Sequence, residues 1–264
     1  MTRRRAPRVP AALVLPALLG AVFLITPLAG LVVRAPWGTA LTELRAPETI
    51  DALRLSMVAS LSTTALALVM GVPLAWMYAR VEFPGRSLLR ALTTLPMVLP
   101  PVVGGLALLL AFGRRGLLGA WLEHTFGITL PFTTAGVVLA ETFVSMPFLV
   151  LTVEAGLRSV DRRYEEAART LGASPWIVFR RVTVPLVSPS LVAGAVLCWA
   201  RALGEFGATI TFAGNFPGRT QTTPLAVYLL LETRPEASII LSLVLLLVSL
   251  AVLAGLRHRW LGSA

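Results

Sequence analysis

Lysine is absent from this 264-residue chain, and all 23 basic residues are arginine. A phosphate-binding loop of the Walker type sets a lysine on the β- and γ-phosphates, and Schiff-base catalysis needs a lysine amine. The chain therefore has no P-loop ATPase site of its own. Cysteine is nearly absent too: Cys198 sits alone inside an apolar run, reads as a small core residue, and leaves no intrachain disulfide framework. The two histidines, His124 and His258, stand apart near segment ends and have no metal-ligand spacing. Neither lies mid-span where a serine base would be needed, and the chain has no HExxH or GxSxG, which argues against an intramembrane enzyme such as a protease.

Charge is scarce as well. Only 14% of residues are charged, 56% are hydrophobic and the mean hydropathy is +0.80, outside the usual soluble range. A bilayer core roughly 30 Å thick needs about 20 apolar residues per helix, and six windows qualify. They run from Pro10 to Val33, Ala52 to Ala79, Leu88 to Phe112, Phe132 to Leu157, Pro185 to Phe212 and Ser238 to Leu256. All should be helical, because an open strand edge in hydrocarbon leaves peptide groups without partners. The expected fold class is all-α, a polytopic membrane protein with about six transmembrane helices. The start, MTRRRAPRVP, has the charge of a secretory signal, but the apolar stretch from Val9 to Val33 is too long for a signal core and lacks a clear small-x-small cleavage site. It reads as a retained helix.

The net charge of +10 also raises the question of nucleic acid, yet the arginines lie in short clusters between apolar runs, where membrane orientation explains them more simply. Fifteen lie on one side: Arg3, Arg4, Arg5, Arg8, Arg80, Arg86, Arg90, Arg158, Arg162, Arg163, Arg169, Arg180, Arg181, Arg257 and Arg259. Seven lie on the other: Arg34, Arg45, Arg54, Arg114, Arg115, Arg219 and Arg234. The excess marks the first side as cytoplasmic and puts both termini inside, in a multi-pass protein of the cytoplasmic (inner) membrane. Prolines in LPMVLPPVVGG (95–105) and MGVP (70–73) predict kinks, which serve either a mobile pathway or ordinary bundle packing. No internal repeat stands out.

The segment Asp161–Val184, DRRYEEAARTLGASPWIVFRRVTV, is a polar insert on the arginine-rich side. Asp161 can cap a helix built on Glu165, Glu166, Ala167 and Ala168, and Gly172 suits the left-handed residue that ends it. Ser174 and Pro175 then supply the N-cap and first turn of a second helix, which should run into the fifth span near Pro185. The first helix is expected to expose its acids and alanines to a partner.

Glu166-Ala167-Ala168, Gly172 and Val182-x-Val184-Pro185 resemble the EAA motif of the integral membrane subunits of bacterial ABC importers; Val182 and Val184 depart from that family's Ile-x-Leu-Pro ending. WARALGEFGATITFAGNFPGRTQTTPLAVY (199–228), LPMVLPPVVGG and TFVSMPFLV (142–150) are similar to molybdate permeases, with sulfate permeases as the alternative of the same family. The resemblance runs from about Leu53 to Leu253. It implies a type I ABC importer permease fold, with Glu165, Glu166, Ala167, Ala168, Gly172 and Pro185 in the coupling element that docks on a separate ATPase subunit. It also implies two ATPase copies, a homodimer of the permease in membrane lipid, an external molybdate-binding protein and no nucleic acid. On that reading the chain is no enzyme and binds no cofactor: ATP and Mg are used by the partner ATPase, and molybdate, with tungstate as a companion, is the cargo. Residues 1–51 would form the tail, first helix and outer loop, 52–256 the transmembrane domain with coupling helices at about 161–184, and 257–264 a short tail.

Within the fifth span Arg201 and Glu205 are spaced to share a helix face. They read either as a buried structural ion pair or as a positive station on an anion route. Glu141, the other embedded acid, is expected to hydrogen-bond another helix and to take no part in transport. The loop Gly214–Pro224 is a connection or a contact for the binding protein.

Overall fold

In the computed structural model the backbone is described over residues 11–260 and the side chains over 12–255. Arg3, Arg4, Arg5, Arg8 and the first residue of the first expected span, Pro10, lie outside the described residues, as do the side chains of Arg257 and Arg259 and the end of the 257–264 tail. The described residues form helices and turns only: α1 (Ala11–Val33), α2 (Ala40–Arg45), α3 (Pro47–Arg80), α4 (Arg86–Thr94), α5 (Pro101–Phe112), α6 (Gly119–Phe126), α7 (Thr134–Ser159), α8 (Arg163–Thr170), α9 (Pro175–Val178), α10 (Val184–Leu203), α11 (Gly207–Ala213), α12 (Thr223–Thr233) and α13 (Pro235–Trp260).

Among the described residues five helices are long and apolar enough to cross a membrane, as expected, and the third span is different. The window Leu88–Phe112 is not one helix. It breaks into α4 and α5, bent by 118°. The cause is local: Pro100 and Pro101 in succession remove two amide donors, and a residue before proline is pushed out of the helical region, as the Pro100 ψ of 131° shows. Leu95–Met97 tightens into a 3-10 turn ahead of the break. The α5 helix alone reaches only about 18 Å at 1.5 Å per residue. Pro73, by contrast, sits inside α3, which runs unbroken to Arg80. The fifth span also ends early, at Leu203, and α11 follows after a short turn.

The core is a close trio of α3, α7 and α10. Ala67, Ala75, Tyr78 and Ala79 pack with Leu149, Val150, Val153 and Leu157 and with Val187 and Cys198. Glycines set the approach. A Cβ on Gly156 would stand 2.4 Å from Ser190 Cβ, and one on Gly105 would stand 2.5 Å from Thr211 Cβ, so α7 meets α10 and α5 meets α11 nearly backbone to backbone. A second cluster, Leu108, Ala140, Val144, Ala208 and Phe212, joins α5, α7 and α11. Some buried polar side chains find partners on neighbouring helices, which hydrocarbon favours. Thr63 donates to Glu141 Oε2 at 3.0 Å, and Trp199 Nε1 donates to Ser60 Oγ at 3.0 Å. Glu141 thus binds another helix as the sequence reading expects.

Candidate functional site

The end of the bundle where α3 and α7 finish carries the polar insert, and its local structure follows the sequence closely. Asp161 Oδ1 accepts the Arg163 amide at 3.0 Å and starts α8. The helix closes as a Schellman motif: the Gly172 amide donates to the Arg169 carbonyl at 2.9 Å, the Ala173 amide donates to the Ala168 carbonyl at 3.1 Å, and Gly172 is left-handed with φ of +84°. Ser174 Oγ accepts the Ile177 amide and Pro175 opens α9. From there the chain runs through a widened π turn, Phe179–Thr183, straight into α10. That turn lies just ahead of Pro185, whose ring crowds the carbonyl four residues back and whose nitrogen has no proton to give it, so the wider spacing relieves both faults. The second helix of the insert therefore is the start of the fifth span.

The structure separates the EAA residues by face. Glu166, Ala167 and Gly172 are exposed, Ala168 is half-buried and Pro185 is exposed on α10. Glu165 does not join the exposed face, contrary to the expectation that the first helix shows both its acids. It points inward: its Oε1 pairs with Arg80 Nη2 at 3.1 Å and accepts from Arg80 Nε at 3.2 Å and from Thr183 Oγ1 at 3.0 Å. Placed one position before Glu166, it falls about 100° round the helix, onto the side that meets α3. The exposed side also carries two large side chains that the sequence reading passed over, Tyr164 and Leu171, the latter 88% exposed at the very tip. Beside the tip, Pro73, Trp76, Pro175, Trp176 and Phe179 line an apolar groove of about 300 Å³.

A second charged knot lies alongside. Glu154, another embedded acid that the sequence reading did not single out, is 1% exposed at its side chain and is held by Arg158 at 2.8 Å and Arg90 at 3.0 Å. Arginines also cap the end of α3: Arg158 Nη2 and Arg86 Nη2 donate to the Tyr78 carbonyl and Arg162 Nη2 to the Ala79 carbonyl. Cations at a helix C-terminus meet its negative pole and occupy carbonyls that have no intrahelical donor. The signal was present as arginine spacing, but which carbonyls they reach depends on packing.

At the other end of α10, Arg201 pairs with Glu205, and Glu205 Oε1 also accepts the Ala208 amide at 2.9 Å. The carboxylate thus caps α11 while holding the arginine. The loop after α11 is tied down rather than open: the Thr223 amide donates to Ser56 Oγ, and Thr134 Oγ1 donates to the Arg219 carbonyl at 2.9 Å. Arg234 pairs with Glu43 at this same end. The structure does not bring Arg201–Glu205 and the EAA residues together; they stand at opposite ends of α10.

Residues 67–263 match the family model described as binding-protein-dependent transport system inner membrane component. The chain is similar to the molybdenum transport system permease protein ModB of Mycobacterium tuberculosis, 47% identical over 245 residues that cover 93% of this chain and 92% of the relative. It is 44% identical to ModB of Escherichia coli, over 80% of this chain and 92% of that one. The sulfate transport system permease protein CysT of Escherichia coli is more distant, 38% identical over 85% of this chain and 82% of that one. In fold it resembles a solved bacterial ABC transporter involved in the import of the acidic polysaccharide alginate, with a TM-score of 0.72, 19% identity and coverage of 94% and 93% of the two chains.

Proposed function

The chain belongs to the binding-protein-dependent transport system inner membrane components, and from that premise we propose that it is the permease through which an ATP-driven importer carries molybdate, with tungstate as a companion, into the cytoplasm. The observation that carries the substrate is graded identity: 47% and 44% to two molybdenum permeases against 38% to a sulfate permease, each over most of both chains. Molybdate and tungstate are near-equal in size and charge, so a route for one admits the other.

The exposed face of α8 and its tip, Glu166, Ala167, Ala168 and Gly172 with Tyr164 and Leu171, is the docking surface for an ATPase subunit. Small alanines permit close approach, and two large exposed side chains, Tyr164 in the first turn of α8 and Leu171 at the turn that ends it, suit burial in a partner's groove. Glu165 and Pro185 belong to the same coupling element but serve it differently, Glu165 from inside by anchoring α8 and the exposed Pro185 by shaping the entry to α10. ATP and Mg are bound by the partner, in keeping with the missing lysine. One such docking element per chain fits a homodimer facing two ATPase copies, set in membrane lipid, with a binding protein delivering the anion from outside. The arginine excess puts the docking element in the cytoplasm. Arg201 and Glu205 form a structural clamp at the corner between α10 and α11, because Glu205 is already committed to the α11 amide.

The test is reconstitution of the permease in liposomes with its ATPase subunit and binding protein. ATP hydrolysis is expected to rise with molybdate-loaded and tungstate-loaded binding protein and to rise several-fold less with the sulfate-loaded form. Equal stimulation by sulfate removes the preference for molybdate and leaves a general oxyanion permease.

A further inference from the structure

Glu165 is the one buried side chain of α8, and apart from Arg162 Nη2 on the Ala79 carbonyl just ahead of the helix, the polar grip of α8 on the membrane helices runs through this carboxylate. Its partners come from every neighbouring segment. Arg80 is the last residue of α3, Thr183 is the last residue of the π turn that leads into α10, and Arg80 Nη2 reaches on to the carbonyl of Val160, the residue after α7. The side chains of Arg80 and Glu165 are only 7% and 6% exposed, so water neither screens nor loosens the pair much. Residues 160–162 and 171–174, on either side of α8, are non-helical, and of their side chains only that of Arg162 hydrogen-bonds to a membrane helix, so these segments transmit a displacement less stiffly than the buried ion pair does.

We propose that Arg80 is a positioning residue that makes α8 a rigid lever. Through the Arg80–Glu165–Thr183 knot, a displacement of α8 moves α3 and α10 with it. Without the knot the two flanking turns take up the motion and the membrane helices stay still. The π turn fits this role, since a widened turn beside a proline is a compliant place for α10 to pivot while Thr183 follows Glu165. The inference rests on the reading of α8 as the surface on which an ATPase subunit acts. Arg80 touches neither cargo nor nucleotide.

Two readouts test it. For the permease alone in lipid nanodiscs, Arg80→Gln is expected to speed hydrogen exchange of the 163–174 amides at least tenfold, and the charge exchange R80E/E165R to bring it back toward the original rate. In the reconstituted importer, Arg80→Gln should keep the affinity for the ATPase subunit within twofold while anion uptake per ATP hydrolysed falls at least fivefold, again with recovery in R80E/E165R. Should Arg80→Gln fail to accumulate in membranes, Thr183→Val, which removes one hydrogen bond and no charge, is read in the same two assays with smaller changes in the same direction. Unchanged exchange overturns the knot. Faster exchange with unchanged uptake per ATP overturns transmission through it, and so does a loss of ATPase affinity in step with the loss of uptake, because α8 is then only a docking surface that needs its fold. Failure of the importer reading looks different: the unmodified complex shows no anion-dependent hydrolysis, and the exchange measurement still decides whether Arg80 holds α8.

Discussion

Gly156 is where the two central helices leave least room. A methyl group there meets Ser190 Oγ at 2.2 Å and Ser190 Cβ at 2.4 Å. The oxygen can rotate away, but the Cβ cannot, so α7 and α10 must part. Gly156→Ala is therefore expected to destabilise the protein by about 1–3 kcal/mol, the usual cost of overpacking. Ser190→Gly in the same chain should recover most of it. Thermal unfolding in detergent checks both, and a double variant no more stable than the single one refutes the contact. The glycine is plain in the sequence and its partner is not, because a contact between positions 34 residues apart is created only by packing. Glu165 teaches the same lesson. Its motif was legible, but which of two adjacent acids turned inward depended on where α3 ends.

At the scale of elements, local chemistry predicted well wherever one or two turns decide the outcome. Asp161, Gly172, Ser174 and Pro175 each take the capping role their type and spacing suggest. Gly172 has open space around it but a positive φ, so Gly172→Ala should cost about 1 kcal/mol through backbone strain alone. Leu171→Asp is a different kind of change: it leaves the fold alone and removes an exposed apolar tip. If that tip fills a groove on the ATPase subunit, binding should weaken roughly 30-fold, the equivalent of about 2 kcal/mol at a well-buried anchor. Titration of the ATPase subunit onto nanodisc-held permease measures it, and affinity within a factor of two for Leu171→Asp would remove the tip from the interface. In the third span the prolines of 95–105 rightly predicted a kink, but not a turn sharp enough to split the window into two helices. Hydropathy counts apolar residues without regard to direction, whereas the proline pair turns the chain by 118° inside an apolar run.

For the whole molecule, the structure gathers Arg80, Arg86, Arg90, Arg158 and Arg162 around two buried acids at one end of the bundle, while Arg234 and Glu43 pair at the other. Arginine asymmetry predicts which end faces the cytoplasm. In a Cys198→Ala background, a membrane-impermeant maleimide applied to intact cells should label Phe216→Cys, and should label Leu171→Cys only after permeabilisation. The reverse pattern inverts the topology.

The chain by itself determined its apolar character, the number of apolar windows, the absence of a Walker lysine and the capped helix-turn-helix, because each depends on composition or on residues within a turn of one another. Only the tertiary structure decided that Glu165 anchors rather than docks, that Glu154 holds two arginines, that Glu205 caps α11 and how far the kinked third window turns. Those are questions of which side chain meets which across helices. In a bundle this closely packed, the answer is set by the phase and crossing of the helices, which short-range pattern does not encode.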